Sequence, residues 1–224
     1  MKSIFSIVLL SFGLTLFGQA KDPKDISIDA LMTETQFMSD DPDTMDMVWW
    51  IPFEFWNASN AQDPTAAQSD ADALKELMEG LELFAVVKGK IGYFGGVTYD
   101  SLDQILEDFS VTYKGEKLKI VAPKDIAPDL QNFVLMISPM MASMLGDMGK
   151  NMHFVFMTGD RSKETFAINP VGNETISLSL GRFKKDLQLP LASVLIEKKC
   201  PKDGVLHSGK WKYCPFHGVE LKTQ

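Results

Sequence analysis

The chain has 224 residues, a formal net charge of −8 and 45% hydrophobic residues, so it is long and apolar enough to bury one sizeable core. Its acidic balance argues against nucleic acid as a partner, because phosphates demand basic surfaces. It has only two cysteines, and His153 is its only histidine before the last twenty residues.

Met1-Lys2-Ser3 supplies one positive charge, and Ile4 to Phe17 is apolar apart from small and hydroxyl residues. Gly18-Gln19-Ala20 then sets small residues where a signal peptidase reads. Residues 1–20 therefore read as a cleavable signal peptide, with the mature chain starting at Lys21 and secreted or periplasmic. The apolar run is shorter than the roughly 20 residues of a bilayer span. No cysteine follows the cleavage point to take a lipid, and no later segment is a convincing span. Removing 1–20 takes away one lysine and no acid, so −8 becomes −9.

Residues 21–46 are polar and acidic and are expected to form a weakly structured arm, with Ile26, Ile28 and Leu31 as its candidates for burial. Met47 to Trp56 is an aromatic run interrupted by Pro52, which suggests an edge strand or extended segment. Ser69 or Asp70 begins a helix carrying Ala73, Leu74, Leu77, Met78 and Leu81 on one face, and Leu83 to Val87 suggests a strand. The glycines at 89, 92, 95 and 96 lack a following GKS or GKT and read as turns. A second helix starts at Asp100 or Ser101, and Ser110 to Val121 forms a hairpin about Lys114-Gly115-Glu116. Pro128 suits the first turn of a longer helix with a kink at Pro139. His153 to Met157 reads as a strand, and Thr165 to Leu180 as a hairpin about Pro170-Val171-Gly172-Asn173. The sum is an α+β body over 47–197, an antiparallel sheet with two or three helices. A separate tail occupies 198–224.

That tail holds the strongest motif. Cys200-Pro201-Lys202-Asp203-Gly204-Val205 recurs fourteen residues later as Cys214-Pro215-Phe216-His217-Gly218-Val219, with four of six positions identical. Tyr213 precedes the second copy, and Ser208-Gly209 is a plausible tip between them. Residues 200–221 resemble a degenerate short zinc ribbon, whose usual knuckle is CPxCG. The resemblance implies turns with amides aimed at sulfur and a second ligand three places after each cysteine. Here those positions hold Asp203 and His217, so the implied set is Cys200, Asp203, Cys214 and His217 around zinc, with His207 able to replace Asp203. A Cys200 to Cys214 disulfide is the competing outcome in an oxidising compartment.

Two further constellations carry possible chemistry. If 49–56 is extended, Trp50, Glu54 and Trp56 share a face that could bind a sugar, with Glu54 as a general acid of a polysaccharide hydrolase. Met136, Met140, Met144, Met148 and Met152 recur every four residues beside Met141 and His153, a donor set suited to Cu(I) but equally suited to a core or a partner-binding surface. There is no GxSxG or HExxH. The expectation is an exported, non-enzymatic binding or assembly protein of unknown ligand, with the hydrolase and copper-handling readings as alternatives.

Overall fold

The computed structural model describes residues 19–159 and 166–223. Most of the expected signal peptide, and Thr165, lie outside the described residues. In chain order the elements are α1 (Ile28–Thr35), β1 (Gln36–Met38), β2 (Met47–Ile51), α2 (Phe53–Gln62), α3 (Gln68–Met78), β3 (Glu82–Val87), β4 (Gly89–Ile91), β5 (Val97–Tyr99), α4 (Leu102–Asp108) and β6 (Phe109–Tyr113). They continue through β7 (Glu116–Lys117), β8 (Lys119–Ile120), α5 (Pro128–Leu145), α6 (Asp147–Lys150), β9 (His153–Thr158), β10 (Thr175–Leu180) and β11 (Phe183–Gln188). The tail contributes β12 (Lys198–Lys199), β13 (Leu206–His207) and β14 (Lys222–Thr223).

The α+β class holds, with the body built on two larger antiparallel sheets and the two-stranded pair β4-β5. One has five strands in the order β1-β2-β3-β9-β8, the other four in the order β11-β10-β6-β7. Every residue of β2 and β3 is buried, so these strands, apart from Glu82 at the head of β3, are continuous apolar runs rather than alternating ones. Phe84 of β3 meets Phe109 of β6 edge-on at 5.6 Å, an aromatic contact that links the two sheets within one core.

Four local expectations are corrected. Pro52 does not mark an edge strand: β2 lies between β1 and β3, and the proline falls just past its end, at the N-cap of α2, where a missing N–H costs nothing. Residues 53–56 are accordingly helical rather than extended. The 21–46 arm is ordered through residue 38, because Ser27 caps α1 through the Ala30 amide, Leu31 is fully buried and β1 pairs with β2. The last hairpin sits further along the chain, β10 pairing with β11 about a two-residue turn at Gly181-Arg182, where Gly181 has φ +56°.

Other signals match. Ser101 and Gln104 form a reciprocal cap on α4, the Gln104 side-chain oxygen accepting from the Ser101 amide at 2.8 Å. Pro128 opens α5 and Pro139 lies inside it. Among the described residues no helix is long and apolar enough to cross a membrane.

Candidate metal centre

The two tail knuckles have one backbone geometry. Cys200 donates its amide to the Val205 carbonyl at 2.9 Å and Gly204 donates back to Cys200 at 2.9 Å; Cys214 to Val219 and Gly218 to Cys214 repeat this at 2.8 and 2.9 Å. Gly204 and Gly218 have φ of +76° and +63°, a region open to glycine and strained for other residues. The flanks repeat as well: Lys199 pairs with Leu206, and Tyr213 with Glu220. The sequence repeat is thus a structural repeat. Between its halves the Trp211 amide closes a turn on the Ser208 carbonyl, and Gly209 sits so tightly on the Ile196 carbonyl that a β-carbon has no room.

Cys200 and Cys214 are buried and form, with Leu221 and Val219, a small core separate from that of the body. Their sulfurs do not lie at disulfide-bonding distance. The donor atoms of Cys200, Cys214 and His217 all lie within 4.8 Å of one another. His217 Nδ1 is 3.5 Å from Cys200 Sγ, 3.5 Å from Cys214 Sγ and 3.5 Å from Asp203 Oδ2. Zinc–sulfur bonds of about 2.3 Å and zinc–nitrogen or zinc–oxygen bonds of about 2.0 to 2.1 Å give tetrahedral edges of about 3.5 Å from S to N and about 3.3 Å from N to O. Three edges of that size meet at His217 Nδ1. The two sulfurs and the imidazole are therefore close enough to hold a metal ion, with the Asp203 carboxylate beside the His217 ring.

Burial pushes the Cys200 thiol up, while the amides of Asp203 and Lys202 oppose that rise. The Asp203 carboxylate is held below the ordinary range, first by the Val205 amide, which donates to Oδ1 at 3.0 Å, and next by the Cys200 side chain. His207, the alternative fourth donor, is buried and reaches the opposite side of the site, its Nε2 3.5 Å from Cys214 Sγ.

Trp50, Glu54 and Trp56 are arranged differently from the shared face expected of them. Trp50 is fully buried and presents no open surface, its indole Nε1 donating to Glu82 Oε2 at 2.9 Å. Trp56, on α2, is wedged between Phe55 at 5.0 Å and Phe133 at 4.9 Å. Burial pushes the Glu54 carboxyl up. Sequence reasoning missed Glu82, which also accepts from the Ile168 amide at 2.8 Å and is raised to about 8, chiefly by burial. The available signal was an acid at the head of the apolar run Leu83 to Val87.

The large polar cleft lies elsewhere, among Asp41, Asp46, Lys88, Asp100, Asp108 and Arg182, and Glu54 is not in its lining. Three of its acids pair with bases: Lys88 Nζ is 2.7 Å from Asp100 and 2.6 Å from Asp108, and Arg182 is 3.6 Å from Asp41. The methionine row divides, with Met136, Met140 and Met144 exposed on α5 and Met152 buried before β9. His153 is half-buried, and burial lowers its imidazole pKa.

Comparison with protein-family models, with curated proteins and with solved structures returned no match.

Proposed function

We propose that residues 198–223 form a zinc-ribbon-like module in which Cys200, Asp203, Cys214 and His217 hold one zinc ion, carried by an exported, non-enzymatic binding or assembly protein. The observation that supports it is the triple 3.5 Å contact at His217 Nδ1, which joins both sulfurs and the Asp203 carboxylate at one vertex. Four protein donors leave no open position for a substrate, so the ion's contribution is to fold the tail rather than to catalyse. A disulfide alone explains neither the duplicated positive-φ glycines nor the imidazole and carboxylate drawn in beside the sulfurs.

The binding role is supported by the module's surface. Trp211, Tyr213 and Phe216 are 46%, 53% and 79% exposed, an unusual density of exposed aromatics in so short a unit. The hydrolase reading has weaker support, because Trp50 is sealed in the core and Glu54 does not line the polar cleft.

Metal analysis with a thiol count on the mature chain tests the assignment. About one zinc per chain, two thiols titratable after denaturation with chelator and weakened binding in His217→Ala are expected. No zinc, and no thiols until a reductant is added, would replace the metal by a disulfide.

A further inference from the structure

Resting on that zinc assignment, we infer that His207 is a positioning residue for the metal, holding the Cys214 thiolate by an N–H···S hydrogen bond from outside the ligand set. His207 is one of few buried polar side chains, 7% exposed, and a buried imidazole needs a partner. Its strand β13 pairs with β12 in the register Lys198 to His207, which fixes its backbone beside the site. Trp211 stacks on its ring at 5.7 Å and 30°, and Phe216 leans on it at 6.1 Å and 40°. The ring is thereby clamped with Nε2 3.5 Å from Cys214 Sγ.

The chemistry of sulfur selects the tautomer. A metal-bound thiolate carries no proton and can only accept, so Nε2 must hold the hydrogen. Such a bond draws charge from sulfur and fixes its lone-pair direction toward the ion. Cys200 receives the amides of Lys202 and Asp203, and Cys214 receives the His207 side chain from seven residues upstream. Asp203 is the better fourth ligand because it meets both His217 and Cys200, whereas His207 meets only Cys214 among the three clustered donors.

The test uses the mature chain loaded with zinc or with cobalt(II), which reports the ligand set through its d–d bands and the sulfur donors through its charge-transfer band. His207→Phe keeps an aromatic ring between Trp211 and Phe216 but removes the donor. The expected result is a loss of about 10- to 100-fold in zinc affinity, measured against a chromophoric chelator. The cobalt d–d bands should stay unchanged while the charge-transfer band moves to lower energy. His207→Gln restores an N–H donor and should recover affinity and band position; if His207→Phe leaves the tail unfolded, this variant decides alone, its failure to hold wild-type values overturning the inference. Unchanged affinity and an unmoved band in His207→Phe also overturn it, as does a change in the d–d bands, which would make His207 a ligand. A wild-type chain that takes up neither ion fails at the zinc assignment itself, before any variant is compared.

Discussion

Gly204 and Gly218, fourteen residues apart, share a left-handed backbone, and each donates its amide to the carbonyl of the cysteine four residues before it. That relationship closes both knuckles, so metal binding that folds the tail must hold each turn in this backbone conformation. Gly218 tests this cleanly, since a β-carbon there meets nothing within 4 Å and Gly218→Ala adds only conformational strain. About 1 to 2 kcal/mol is expected, seen as roughly a tenfold drop in zinc affinity. Calorimetry of the metal-loaded chain checks it; wild-type affinity would show that the turn does not shape the site.

Replacing both Cys200 and Cys214 by serine should abolish zinc binding while leaving the body's unfolding transition in place. The two cysteines belong to a core distinct from the one formed by the sheets. Loss of the body's cooperative transition in urea would mean that the tail is integral to the main fold.

Glu82 should make stability fall with rising pH. Its carboxyl stands at about 8 in the fold against 4.5 ordinarily, so between those values the folded chain holds a proton that the unfolded chain has released. The stabilisation is complete below about pH 4.5 and lost as pH rises through about 8. Glu82→Gln removes the titration and should flatten this slope. The amide's single oxygen cannot serve both the Trp50 and Ile168 donors, at a cost of about 1 to 3 kcal/mol at pH 5. Urea unfolding of both proteins from pH 5 to 9 decides, and parallel profiles would remove Glu82 as the cause.

Met140→Leu with Met144→Leu should leave metal content unchanged. Both side chains are exposed, at 46% and 62%, and the swap nearly conserves volume, so less than about 1.5 kcal/mol is expected. Copper bound by the wild type after growth in copper-containing medium and lost from this variant would instead make α5 a metal-handling surface.

Purification from a secreting host should yield a chain beginning at Lys21. Among the described residues, cleavage there keeps the Lys21 bond to the Val194 carbonyl at 2.8 Å and removes the Gln19 carbonyl that accepts from Ile196 and the Ala20 bridge to Leu195. Intact mass settles the point, and a product that retains Met1 to Ala20 would end the export proposal.

Where a signal is local, the sequence alone determined the result. Ser101 and Gln104 cap α4 because both partners lie within one turn, and the CPxDG and CPxHG repeats build matching knuckles because glycine and short-range hydrogen bonds specify each turn. The tertiary structure decided what depends on distant partners. Pro52 ends a central strand because β1 and β3 flank it, which no neighbouring residue announces. Trp50 is sealed in the core by Glu82, thirty-two positions away, so an apparent binding aromatic became the partner of a buried acid. At the candidate metal centre the zinc-ribbon resemblance implied Cys200, Asp203, Cys214 and His217, but the place of His207 against Cys214 came from the pairing of β12 with β13 and from the ring of Trp211, contacts that only the folded chain assembles.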